Sequence, residues 1–355
     1  MKTIFLLSVF LVGFFANAQT ELPKLTWSGD IRYRSSRAQD GAKETRLRQQ
    51  LRARLGVRAE VNENTDAVFR LMTATSPISG NQDLGDSAAP GMVRRGFGLD
   101  WGYIDWNFND EGEAWLGRVA NPLWSPNKVQ TMFDADMSFE GLALRWNGSG
   151  FFASAGAFMI SDNYNSVAGA DQADQGLAGV EVGYALKGEG IAWTSRVGHI
   201  AYANIDGAPV TSAGGNSTGT VGTTTVYTEE YSLWELGTEF KHKLGATDMT
   251  YYAEYILNEK ADKGQNALEA GVSAKISKLT LGVAYILKEK DSVVAAFTDS
   301  DTGGGGTDQR GERLTVGYAL AKNVAATLDY WMTDRGISGK STDYKLAMLN
   351  LMASF

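Results

Sequence analysis

The stretch Thr45 to Val61 reads TRLRQQLRARLGVRAEV, and its period decides between helix and strand. Odd positions carry Thr45, Leu47, Gln49, Leu51, Ala53, Leu55, Val57, Ala59 and Val61; even positions carry Arg46, Arg48, Gln50, Arg52, Arg54, Gly56, Arg58 and Glu60. Leu47, Leu51 and Leu55 also recur every fourth residue, so a cationic amphipathic helix is the competing reading. At about 100° per residue from Arg46, the leucines fall at about 100°, 140° and 180°, while Arg54 and Arg58 fall at about 80° and 120°. A helix would push two arginines into its own apolar stripe. A strand puts every charge on one face and the aliphatic side chains on the other.

The same alternation runs to the C-terminus. Leu25, Trp27, Ile31 and Tyr33 oppose Thr26, Ser28, Asp30, Arg32 and Arg34; Trp234, Leu236 and Phe240 oppose Glu235, Glu239 and Lys241; Leu314, Val316 and Tyr318 oppose Arg313, Thr315 and Gly317. The pattern predicts sixteen strands, near 25–35, 45–61, 66–73, 101–108, 113–119, 139–147, 151–160, 176–186, 190–203, 230–242, 248–257, 267–276, 279–288, 312–320, 323–332 and 344–355. Connections alternate between short ones, such as 62–65, 148–150 and 277–278, and long ones near 36–44, 74–100, 120–138, 161–175, 204–229, 258–266, 289–311 and 333–343. An even number of strands, short turns at one end and long loops at the other predict an all-β fold, a transmembrane antiparallel up-and-down barrel with periplasmic turns and extracellular loops.

A soluble β-sandwich is the rival, with its apolar face buried. It would have to bury either the Trp, Tyr and Leu face or the row Arg46, Arg48, Arg52, Arg54 and Arg58. Unpaired buried charges cost several kcal/mol each. A water-filled lumen can hold the arginines solvated while the other face meets lipid. The outward aromatics, Trp27, Tyr33, Trp106, Phe108, Trp146, Tyr184, Trp234, Phe240, Tyr251, Tyr285, Tyr318, Tyr330 and Phe355, then form interfacial girdles.

Composition agrees with an exported channel and excludes several other classes. The 355 residues contain no Cys, which removes disulfides, thiolate metal sites and thiol catalysis, and two His, which leave little for a His metal centre. A formal charge of −8 argues against a general nucleic-acid binder. Residues 1–18, MKTIFLLSVFLVGFFANA, read as a signal peptide: Lys2, an apolar run from Ile4 to Phe15, and Ala16-Asn17-Ala18 as the cleavage site. Residues 19–355 read as a single barrel domain.

The run Gly117-Arg118-Val119-Ala120-Asn121-Pro122-Leu123-Trp124 resembles the segment leading into the constriction loop of a family of bacterial outer-membrane porins. Asp134-Ala135-Asp136 and Phe139-Glu140-Gly141-Leu142-Ala143 resemble that family's return into the next strand, and Gly29-Asp30-Ile31-Arg32-Tyr33-Arg34 fits as well. The terminal Phe355 resembles the aromatic end that the barrel-assembly machinery reads. The resemblance implies sixteen strands, passive uptake of small hydrophilic solutes and a homotrimer.

Function in such a barrel lies in what narrows and charges the lumen. The parity of the strands places a basic ladder inward: Arg32, Arg34, Arg46, Arg48, Arg52, Arg54, Arg58, Arg70, Arg118 and Arg145. Loop 120–138 is expected to fold inward as a constriction carrying Asn121, Pro122, Trp124, Asp134, Asp136 and Glu140. The later wall brings the acids Glu181, Glu235, Glu239, Glu254, Glu269 and Asp329. Ladder and loop acids facing one another would set up a transverse field across an aqueous eyelet. The expected activity is diffusion of small hydrophilic solutes and ions across the bacterial outer membrane, in contact with its lipids, without enzyme activity, cofactor or metal. A substrate-specific channel for phosphate or organic acids, using the ladder as a track, is one alternative; a non-channel adhesin or barrel enzyme acting through its extracellular loops is another.

Two motifs fail on context. Gly215-Asn216-Ser217-Thr218-Gly219 fits G-x-S-x-G, but a nucleophile elbow needs a strand before it and a helix after it, and this match lies in a Gly/Thr/Ser-rich loop. Asp299-Ser300-Asp301-Thr302-Gly303-Gly304 begins like a calcium loop but lacks the later oxygen ligands and the closing Glu.

Overall fold

The computed structural model describes residues 23–73, 76, 78–85, 94–163, 173–210, 212 and 214–355. The expected signal peptide, 1–18, lies outside the described residues, as do parts of the loops following strands three and seven.

The described residues form sixteen wall strands: β1 Leu25–Asp40, β2 Arg46–Asn62, β3 Thr65–Thr73, β4 Phe97–Asn107, β5 Gly112–Val119, β6 Phe139–Gly148, β7 Phe151–Ser161, β8 Gln175–Gly188, β9 Ile191–Ala203, β10 Ser232–Leu244, β11 Thr247–Asn258, β12 Asn266–Ile276, β13 Leu279–Lys288, β14 Gln309–Ala321, β15 Val324–Arg335 and β16 Thr342–Ser354. Each pairs antiparallel with its neighbours in sequence, and β1 pairs with β16 from Asp30↔Ser354 to Asp40↔Tyr344. The sheet therefore closes. Backbone bonds Gly29 N→Phe355 O (3.1 Å) and Phe355 N→Gly29 O (3.0 Å) extend the seam to the last residue.

Register follows from the alternation. Ile31↔Ala53 and Tyr33↔Leu51 place apolar residues together on the outer face, while Arg32↔Arg52 and Asp30↔Arg54 face inward. A slip of one residue would turn the arginines into lipid. Of the aromatics expected outside, all but Tyr330 are broadly exposed on the isolated chain, from Trp146 at 37% to Phe355 at 66%. Most of the short turns are two-residue reversals such as Ser149-Gly150, both at positive φ (54° and 85°), which suits the right-handed twist of the flanking strands.

The strand ends depart from the expected pattern most at the start of β4, at Phe97 rather than 101, and at the end of β1. The predicted long loop 36–44 shrinks, because β1 continues to Asp40 and β2 begins at Arg46. Ser36 and Ala38 are buried and face inward, while Arg37 is exposed, so the alternation persists through residues whose polarity had suggested a loop.

Wall height is uneven. β1 and β2 have 16 and 17 residues, β5 has 8 and β6 has 10. The two short strands flank loop 120–138 and meet at paired glycines, Gly117↔Gly141. Both have positive φ, 133° and 155°. A Cβ at Gly141 would lie 2.2 Å from the Ala157 carbonyl oxygen, and one at Gly117 would lie 2.3 Å from that of Gly102. Gly141→Ala is expected to abolish most of the folded, heat-modifiable form on unheated gels. Gly190→Ala, at a turn glycine (φ 71°) with open space around it, should cost only about 1–3 kcal/mol of local strain and keep that form. Equal refolding yields for the two variants would contradict the packing described.

Candidate functional site

Each inward charge on β1 and β2 has a defined position. Arg52 donates from Nη1 to Asp136 Oδ1 at 2.7 Å and from Nη2 to Asp30 at 3.1 Å. Arg54 Nε donates to Asp30 at 2.6 Å, and its Nη1 lies 3.5 Å from Asp136. Arg34 Nη1 donates to both oxygens of Asp301, at 3.0 and 2.9 Å, and its Nε to Asn350 at 2.7 Å. Arg32 donates to Asn81 at 2.8 Å and stands 4.0 Å from Asp136. Arg46 pairs with Asp83, Arg58 with Asp66 and Asp105, Arg70 with Asp100, and Arg145 with Glu113. A bulge on β4 leaves Asp100 as the extra residue next to Trp101, the register partner of Arg70, whose guanidinium lies 3.2 Å from the Trp101 centroid. Among the described residues, Arg48 is the ladder member with no carboxylate or amide partner, and its Nε is buried without a hydrogen bond.

Loop 120–138 crosses the lumen. From β5 it runs to the far wall, where the Trp124 N–H donates to Glu181 Oε1 and the Asn127 N–H to Glu239 Oε2, both at 2.8 Å. Asn121 Oδ1 accepts from the Leu123 N–H at 3.0 Å, and Pro122 and Pro126 stiffen the turn beside it. The loop then returns to the basic wall, where Asp136 meets Arg52 and accepts the Gly80 N–H at 3.1 Å. Burial works to raise Asp136, but Arg52 and Arg32 outweigh it and hold the carboxyl below its usual range. The sequence pattern led one to expect Asp134 and Asp136 across a gap from the ladder. In the structure Asp136 touches the ladder, and Asp134 turns away from it.

Asp134 turns toward a second inward loop, 289–308, which sequence reasoning assigned to the extracellular surface. Its backbone N–H donates to the Phe297 carbonyl at 2.8 Å, and its carboxylate accepts from the Asp136 and Ser300 N–H groups. Val293 and Val294 of this loop are fully buried and pack with Met132, Phe133, Phe139 and Phe158. The apolar run Val293-Val294-Ala295-Ala296-Phe297 was the available signal, since a solvated loop has no use for it. Asn216 ties loop 204–231 to the same segment by donating to the Lys290 and Val293 carbonyls and accepting the Ala295 N–H. The lumen is thus part apolar core and part polar space, where an aqueous eyelet narrowed by loop 120–138 alone was expected.

The far wall is organised around Arg196 of β9, which donates to Glu235 at 2.5 Å, Glu254 at 2.8 Å and Glu181 at 3.2 Å. Glu239 pairs with Lys241 at 2.6 Å, Glu269 with Arg313 at 2.8 Å, and Asp329 accepts from Thr315 at 2.7 Å.

Two expected pore residues lie elsewhere. Arg118 and Glu140 pair across β5 and β6 on the face that carries Leu116, Leu142 and Leu144, which is the outer face. Glu113, Trp115 and Gly117 point inward instead. With Trp on one face and Leu on the other, the local alternation is ambiguous, and assigning charges inward chose the wrong parity. The two motifs set aside earlier have structural uses. Ser217 donates to Asp291, and Thr218 opens a strand, Thr218–Val221, rather than a helix. Asp299 accepts from the Thr302 N–H and hydroxyl, and Asp301 is held by Arg34.

Arg196→Met should destabilise the barrel by about 3–5 kcal/mol, because it leaves three buried carboxylates without their cation. Adding Glu181→Gln, Glu235→Gln and Glu254→Gln should recover most of that loss in urea unfolding from detergent. Burial and the nearby Asp299 push Asp134 up to about 8. An acid whose folded value is raised binds its proton more tightly when folded, so its contribution is complete below about pH 4 and is lost as pH rises through about 8. The stability advantage of Asp134→Asn over wild type should therefore grow across that window; a constant difference would show that Asp134 titrates normally.

A family described as "Putative porin" matches residues 24–233 and 241–355. No curated protein sequence matches. Among solved structures, OprB of Pseudomonas putida at high pH aligns with TM-score 0.63 and 12% identity over 93% of this chain and 94% of that one. OmpF of Salmonella typhi in complex with daunomycin aligns with TM-score 0.56 and 14% identity over 94% and 98%. In-vitro folded OmpT of Vibrio cholerae, an outer membrane protein in trimer form, aligns with TM-score 0.52 and 15% identity over 94% and 100%. At these identities the likeness concerns the fold; the family match covers nearly the whole described chain. This closed sixteen-stranded barrel, with a loop pinned across its lumen, belongs to that porin family of outer-membrane channels.

Proposed function

We propose that the barrel conducts small hydrophilic solutes and ions by diffusion along the β1 and β14–β16 side of its lumen, as a homotrimer in the outer membrane. One observation carries this reading. A cavity of about 650 Å³ on the loop side is lined by Arg46, Arg48, Arg335, Tyr344 and Asp301. A second, of about 250 Å³ toward the turns, is lined by Arg32, Arg34, Arg313, Asp329 and again Asp301. Asp301, held by Arg34, lines both cavities, so a path that joins them passes this pair. Loops 120–138 and 289–308 fill the rest of the section.

Charge pairing weighs against a dedicated anion track. Among the described residues every ladder arginine except Arg48 has a carboxylate partner, so the ladder presents little net positive field. Its role is then to hold loop 120–138 and Asp301 in place and to line the passage with fixed dipoles. Phe355 stays 66% exposed at the seam, a position open to recognition by the assembly machinery.

Single-channel recording of the refolded protein in a salt gradient tests the reading. Small, steady, ohmic steps are expected. Asp301→Ala should enlarge them, because it removes the carboxylate that closes on Arg34. Arg48→Glu should shift the reversal potential toward cations. Absence of steps from a folded, heat-modifiable barrel would overturn the channel and place the activity in the extracellular loops.

A further inference from the structure

We propose that copies of this chain meet on the outer face of β4 to β8, around the Arg118–Glu140 pair. The inference rests on the homotrimer reading above and adds where its subunits touch.

Arg118 Nη1 donates to Glu140 Oε1, and the side chains remain 28% and 60% exposed on the isolated chain. Leu116, Leu142 and Leu144 surround them on the same face. Depth makes the pair anomalous for lipid. Glu140 lies six residues above Trp146 of the periplasmic girdle on β6. At about 3.4 Å per residue and a tilt of about 40°, that is roughly 15 Å up an apolar band about 25 Å tall. Arg118 Nε donates to the Asp100 carbonyl at 2.9 Å, but hydrocarbon supplies no hydrogen bond for the other Glu140 oxygen or the remaining Nη N–H groups, and charges on a lipid face are disfavoured most near mid-depth.

Three further features coincide there. The wall is lowest: the eight residues of β5 rise only about 20 Å at that tilt, short of the band. The extracellular girdle is interrupted. Outward Trp234, Tyr255 and Tyr285 stand at the loop ends of β10, β11 and β13, whereas the described loop ends from β16 through β1 to β9, with β4 to β8 among them, carry no outward Trp or Tyr. The adjoining outer face of β7 is small and flat, with Ala153, Ala155 and Ala157 in succession. A second copy supplies what lipid cannot. Arg118 of one copy can reach Glu140 of the next while keeping its own partner, and a ring of such contacts closes on itself.

The chain has no cysteine, so single substitutions report proximity cleanly. The wild-type protein, extracted in mild detergent and sized by light scattering, should be a trimer. Arg118→Glu and Glu140→Arg should each release heat-modifiable monomers that still conduct, and the double swap should restore the trimer. Ala155→Cys should cross-link between copies, and Leu314→Cys, on the opposite wall, should not. Retention of the trimer in both single variants, or cross-linking at Leu314→Cys alone, would overturn this location while leaving the trimer intact. A conducting wild-type monomer would overturn both the location and the trimer, but not the channel. The cross-link readout stands even if a charge variant fails to fold.

Discussion

Closure of the sheet is the constraint on which the rest depends. In hydrocarbon every backbone N–H and C=O must find its partner within the protein, so an open edge is not tolerated. Here the edge disappears where β1 meets β16, and the Gly29–Phe355 bonds carry the seam to the end of the chain. Once closed at sixteen strands, the cylinder is too wide for wall side chains to fill. What enters the lumen is then decided by the loops and by the charges that hold them.

Those charges behave as clasps. Arg52 and Arg54 grip Asp136, Arg34 grips Asp301, and the Glu181 and Glu239 carboxylates take backbone N–H groups from the other limb of loop 120–138. Such pairs are weak at an exposed surface and worth more where water is partly excluded. They are assisted by an apolar cluster that packs Met132 and Phe133 against Val293 and Val294. Most of the inward charges are thereby paired, so their fields largely cancel.

Much of the wall was legible in the chain. Alternation over Thr45–Val61 and its repeats placed all sixteen strands, with most ends within a few residues, because one face of each must be apolar and the other need not be. Errors arose where that rule loses its force. Arg118 and Glu140 lie on the outer face, where each is the other's partner, so the assumption that charges point inward failed there. Loop 289–308 was read as external because it is rich in Gly and Asp. Its buried Val293-Val294 pair was outvoted by composition.

The sequence by itself determined the closed barrel, the inward face of the arginine ladder on β1 and β2, and the girdles, since each follows from a period of two and from the transfer of side chains to lipid or water. Tertiary structure alone decided which carboxylate meets which arginine, that loop 289–308 turns inward beside loop 120–138, and that Arg34 meets Asp301. Those residues lie 267 positions apart in the chain. No local rule relates them; they meet because closing the sheet sets β1 against β16 while loop 289–308, between β13 and β14, turns inward to reach it.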